Sequence, residues 1–126
     1  MNDYWIKALA AAGTTRSALA AGDTDGAVNR AYYAMLDAAK AAFEAVDPSL
    51  IEAKSHSAII ARFGERIVVA RGLDRDLGRS LNSTEDLRIA ADYDRKAVSR
   101  EEAEVTIQRM EKFLLAVAAL SHEPPP

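Results

Sequence analysis

The 126-residue chain has no cysteine. That excludes disulfides, thiolate nucleophiles and cysteine-based zinc sites, and it fits a reducing compartment. No stretch approaches the roughly 20 apolar residues that a bilayer-spanning helix needs. Met1-Asn2-Asp3-Tyr4-Trp5 lacks the basic and apolar regions of a signal peptide, so a cytoplasmic chain without membrane association is expected. A glycine-rich phosphate loop, a G-x-S-x-G elbow, an H-E-x-x-H pair and an acidic cluster at ligand spacing are all missing. Neither a metal nor a cofactor is expected. A net charge of −3 supplies no global attraction for nucleic acid, so contact with RNA or DNA requires a local basic patch. Aromatic residues are also scarce, at 6%, and two adjacent ones need a reason.

What is present reads as helix. The chain is 49% hydrophobic and dominated by alanine, with 28% charged residues, the balance of a folded helical domain. Its length suits one domain, expected over residues 1–120, followed by a flexible proline-rich tail over 121–126. Five helices are expected and no strand. The first runs from about Asn2 to Ala20 and stops at Gly22. A second opens at Asp23 or Thr24, both competent N-caps, and continues to Val46, where Asp47-Pro48 ends it. The third starts near Ser55 or Ser57, carries Ile59, Ile60, Phe63 and Ile67 at helical spacing, and closes at Gly72. The fourth spans about Asp74 to Tyr93, with a weak point at Asn82-Ser83-Thr84, where Ser83-x-x-Asp86 resembles a new start. The fifth follows the capping box Ser99-x-x-Glu102.

Short connections between these helices predict an all-α, up-and-down four-helix bundle with an additional fifth helix. Helix two is apolar or small on nearly every side. Val28, Tyr32, Met35, Ala39, Phe43 and Val46 form one stripe, and Arg30, Tyr33, Ala34, Asp37 and Ala41 the reverse face. Such a helix is buried on both sides, and in so small a bundle the second cover is expected to be another copy of the chain, giving a homodimer.

Arg88 is the sharpest anomaly. It lies within roughly 20° of Leu77 on the apolar stripe of helix four, so it must snorkel, find a carboxylate or line a wet cleft. Asp92, at i+4, is positioned to pair with it. One reading is a structural ion pair to helix two; the other is a phosphate- or RNA-binding arginine, because a guanidinium matches phosphate oxygens bidentately. Tyr32 and Tyr33 are expected on opposite sides of helix two, Tyr32 in the core and Tyr33 at an interface or site beside Arg30. His56, in Lys54-Ser55-His56-Ser57, is either a solvated capping-region histidine or a general acid/base or phosphate contact. Arg62, Arg66, Arg71, Arg75 and Arg79 are interleaved with acids and read mainly as a solvated face.

Asn29-Arg30-Ala31-Tyr32-Tyr33-Ala34-Met35, Lys54-Ser55-His56-Ser57, Leu87-Arg88-Ile89-Ala90-Ala91-Asp92-Tyr93 and the Ser99–Ala103 helix start together resemble the HEPN domain family (higher eukaryotes and prokaryotes nucleotide-binding), specifically its small single-domain prokaryotic branch. The resemblance covers roughly Ala18 to Leu120. It implies a helical bundle that dimerises with its polar site at or near the subunit interface. It also implies a place in toxin–antitoxin or defence modules, with a small nucleotidyltransferase as partner and antitoxin. Many HEPN proteins are metal-independent ribonucleases with an Arg-x4–6-His motif, in which the arginine stabilises phosphate charge and the histidine moves protons. Arg88 matches the motif arginine, but Tyr93 stands at the x4 position and Arg95 at x6. A tyrosine with a reference pKa near 10 is poorly suited to base work at neutral pH.

The expected function is therefore nucleotide or RNA binding at an interface cleft by Asn29, Arg30, Tyr33, Arg88 and Asp92. The alternatives are an active ribonuclease toxin, with Arg88, His56 and Tyr93 as its catalytic set, or a purely structural helical scaffold.

Overall fold

A computed structural model describes residues 2–126. Five α-helices follow one another: α1 (Asp3–Ala20), α2 (Thr24–Val46), α3 (His56–Arg62), α4 (Asp76–Tyr93) and α5 (Arg100–Ser121), with no strand among the described residues. A 3-10 turn at Pro48–Glu52 joins α2 to α3, and a π-helical segment at Phe63–Val69 continues α3. The chain is all-α, as its sequence predicts.

Local chemistry sets most boundaries. Asp23 caps α2 by accepting from the Gly26 N–H at 2.8 Å. The Ser99–Glu102 capping box opens α5 with both reciprocal hydrogen bonds in place. Gly22 and Gly72 stop the preceding segments at φ +81° and +66°, conformations that a side chain would strain. The predicted break at Asn82-Ser83-Thr84 does not occur. Thr84 is buried and donates its hydroxyl to the Ser80 carbonyl at 2.7 Å, so α4 runs through. The third predicted helix changes character midway: Phe63, Ile67 and Val68 are buried on a wider π turn that starts beside Gly64. At the chain's end, α5 extends to Ser121, and the Glu123 carboxylate accepts from the Asn2 backbone N–H at 3.0 Å.

α2 is the central element, and this changes the reading of its two-sided burial. Ala31, Ala34, Ala38, Ala39, Ala41 and Ala42 are all fully buried within the single chain. Ala8, Ala11 and Ala12 of α1 are buried in the same core, and α5 adds Met110, Phe113, Leu114 and Val117. Alanine on both faces of a contact lets two helix backbones approach closely. The cover that the sequence reading reserves for a second copy is thus largely α1 of the same chain.

Candidate functional site

The site begins with the two tyrosines of α2. Neighbouring positions on a helix diverge by about 100°, but the long side chains of Tyr32 and Tyr33 converge. Their ring centroids are 5.2 Å apart in an edge-to-face arrangement, a favourable geometry for two aromatic quadrupoles. The expectation that they occupy opposite sides of α2 is therefore corrected. Tyr32 is fully buried and Tyr33 half-buried.

His56 enters from the first turn of α3. Ser55 caps that helix through a hydrogen bond from the Ala58 N–H at 3.1 Å, which leaves the imidazole free to turn inward. Its ring lies 5.6 Å from Tyr32 and 5.8 Å from Tyr33. It is not a histidine on a solvated loop.

α4 brings the charges. The Arg88 guanidinium sits 4.9 Å above the Tyr32 ring and 5.8 Å from that of Tyr33, a cation–π arrangement on the same pair that His56 meets. Its principal partner is Glu85, which the sequence reading did not single out. Nε donates to Oε2 at 3.2 Å, and Nη2 donates to Oε1 at 3.0 Å and Oε2 at 3.1 Å. Both side chains are only 15% exposed, so water screens this pair weakly. Asp92, the predicted partner, lies farther off, 3.6 Å from Nη1 with its side chain 60% exposed. The cue for Glu85 was present: a carboxylate three residues before an arginine shares its helix face.

The electrostatics follow from this packing. Burial raises the Glu85 carboxyl, but the hydrogen bonds from Arg88, the nearby Tyr32 hydroxyl and the Arg88 charge outweigh it and leave Glu85 below the ordinary range. The Glu85 hydrogen bond, working against desolvation, holds Arg88 more firmly charged than a free arginine. Burial first, and Glu85 second, push the Tyr32 phenol far above the usual tyrosine value. Tyr32 Oη is buried without a hydrogen bond of good geometry, although Glu85 is close enough to influence it.

The remaining candidates divide. Arg30 lies 5.6 Å from the Tyr33 ring and extends the cluster along α2. Asn29 is half-buried and takes no part in its ring or ion-pair contacts. Tyr93 is 86% exposed and likewise outside those contacts. A hollow of about 520 Å³ between α3 and α4 reaches Glu85 past Ser57, Ile60 and Ile89. A larger one, about 630 Å³, lies between α4 and α5 beside Arg79, Arg109 and Lys112, away from the cluster. Among the described residues no group of three histidine or acidic side chains could hold a metal ion, and no helix is long and apolar enough to cross a membrane.

A stacked arginine beside a histidine and an aromatic pair can hold a phosphate, stack a base and move a proton. Comparison with known proteins identifies a family. The HEPN domain matches residues 1–120. The chain is 35% identical over 92 residues to the UPF0332 protein glr0978 of Gloeobacter violaceus, a match covering 71% of each chain. HEPN domains are in general associated with nucleotide- and RNA-related functions, and they commonly dimerise. On this match, and on the helical bundle that carries it, the chain belongs to the HEPN domain family.

Proposed function

We propose that the chain binds a nucleotide or an RNA phosphate at the Tyr32–Tyr33–His56–Arg88 cluster, as a homodimer that works with a nucleotidyltransferase in a two-component toxin–antitoxin or defence module. The observation that carries the reading is the Arg88 guanidinium held 4.9 Å from the Tyr32 ring and 5.8 Å from the Tyr33 ring, with His56 against the same two rings. A guanidinium in that position offers planar donors to phosphate oxygens, and Tyr33, half-buried, keeps part of its ring open to a base. Arg30 adds a second cation 5.6 Å from the Tyr33 ring. Ile89 and Tyr93 stand exposed on α4, the helix that carries Arg88, and they supply apolar surface for a second copy. Family membership supports the partner.

The position of His56 favours a second reading, an RNA-cleaving enzyme without metal. Tyr93 leaves the motif's histidine position without a base, but the fold brings His56 to the rings on which Arg88 rests. His56 would then move the proton and Arg88 stabilise the phosphate charge.

One set of experiments tests both. Purified protein is titrated with labelled single-stranded RNA and with mononucleotides, its oligomeric state is measured in solution, and cleavage is followed in the presence of chelator. Binding lost in Arg88→Ala and Tyr33→Ala, by a dimer, is expected. Cleavage lost in His56→Ala with binding retained would establish the enzyme reading. Unchanged binding in Arg88→Ala would exclude the cluster as the site. Co-purification with a nucleotidyltransferase tests the module.

A further inference from the structure

Arg88 is held by two carboxylates in unequal ways. Glu85 occupies the side-on edge of the guanidinium, Nε and Nη2, with three contacts between 3.0 and 3.2 Å. That hold is short, shielded and bidentate. Asp92 faces Nη1 at 3.6 Å, too far for a hydrogen bond, and its side chain is 60% exposed. The end-on edge formed by Nη1 and Nη2 therefore keeps N–H donors free of hydrogen bonds, with a loosely held carboxylate beside them.

We infer that the two acids divide the work on Arg88: Glu85 is a positioning residue that fixes the guanidinium against the tyrosine rings, and Asp92 is a displaceable latch standing where an RNA phosphate group docks. The inference rests on the proposed binding of RNA at this cluster and specifies its regulation. A phosphate reaching the end-on edge gains two charge-assisted hydrogen bonds. It must also push aside an acid with little to lose by swinging into water, because an exposed pair at this distance contributes little. Glu85 is not displaced in the same way: three contacts hold it, and leaving them would strand a shielded carboxylate. The latch therefore sets a threshold, so that weakly charged ligands leave Asp92 in place and a polyanion moves it.

The two acids are predicted to give opposite mutational signs. Labelled single-stranded RNA is titrated by fluorescence anisotropy at fixed ionic strength against wild type and variants, with thermal melts alongside. Asp92→Asn should tighten RNA roughly two- to fivefold, the scale of an exposed ion pair, at an unchanged melting temperature. Asp92→Glu should behave as wild type. Asp86→Asn removes an exposed acid of α4 that is not paired with Arg88, and it should leave affinity unchanged. Glu85→Gln should weaken RNA by about tenfold, the worth of a charge-assisted pair. If Glu85→Gln fails to fold, the Asp92 series alone decides. Wild type that binds RNA while Asp92→Asn binds equally or more weakly overturns the latch and leaves the RNA site standing. Equal tightening in Asp86→Asn also overturns it, because net charge would then explain the gain. Absence of binding in both wild type and Asp92→Asn removes the RNA site and the latch together.

Discussion

α2 buries twelve of its 23 residues and α4 only two of 18, Leu81 and Thr84, yet the candidate site is assembled from both. α2 contributes the tyrosine platform and α4 the charges that rest on it. The difference teaches a division within a small bundle. The rings stand on an element locked by close packing, while the guanidinium rides on an element with little apolar surface to hold it. Elements with few buried contacts open at lower free energy than the core, so the Glu85–Arg88–tyrosine contacts are part of what keeps α4 docked.

Breaking the packed half should have the largest effect. Phe43 is fully buried on α2, and Phe43→Ala should lower unfolding free energy by about 3–5 kcal/mol in denaturant titration. Leu81→Ala, at the one large fully buried side chain of α4, should cost less, about 2–3 kcal/mol. Equal losses at the two positions would erase the contrast. Arg88→Ala comes next. It leaves the Glu85 carboxylate shielded and without its partner, so a loss of about 1–2 kcal/mol is expected. Adding Glu85→Gln should recover part of it, and a double-mutant cycle measures the coupling.

Two acids sharpen the comparison through pH. Glu85 has a depressed folded pKa, so the unfolded chain binds its proton more readily. Its contribution is fully present above the unfolded carboxyl value of 4.5 and is lost as pH falls through the lower folded value. Glu85→Gln should flatten that acid limb of the stability profile. Asp37, half-buried on α2, is the opposite case. Desolvation raises its pKa, and Lys40, Lys7 and Arg30 only partly offset this. The folded chain holds that proton more tightly, so the ionised form costs stability above the unfolded value. Asp37→Asn should therefore raise stability at neutral pH by a few tenths of a kcal/mol, the smallest effect of the series and of opposite sign.

How far the sequence discloses all this depends on the kind of signal. Helix ends were legible because they are written locally: Asp23, the Ser99–Glu102 box, Gly22 and Gly72 each act within one turn. Arg88 was legible as a charge on an apolar stripe. What covers a buried face is not a local property, so the alanines of α2 suggested a second copy where α1 does most of the covering. Rotamers are not local either, which hid the convergence of Tyr32 and Tyr33. Glu85 and Asp92 were both within reach of Arg88 by spacing, and only the packing of α4 against Tyr32 selects Glu85 for the shielded side. The π turn after Arg62 has no dependable sequence mark.

The proposed site depends most on the planar guanidinium of Arg88, and Arg88→Lys isolates it. That variant keeps the positive charge opposite Glu85 but loses the planar guanidinium beside the rings and its paired donors. Single-stranded RNA affinity, measured beside the melting temperature, should fall by about tenfold or more while the fold persists. Arg88→Lys binding RNA as tightly as wild type would contradict the account, because a bare positive charge would then suffice.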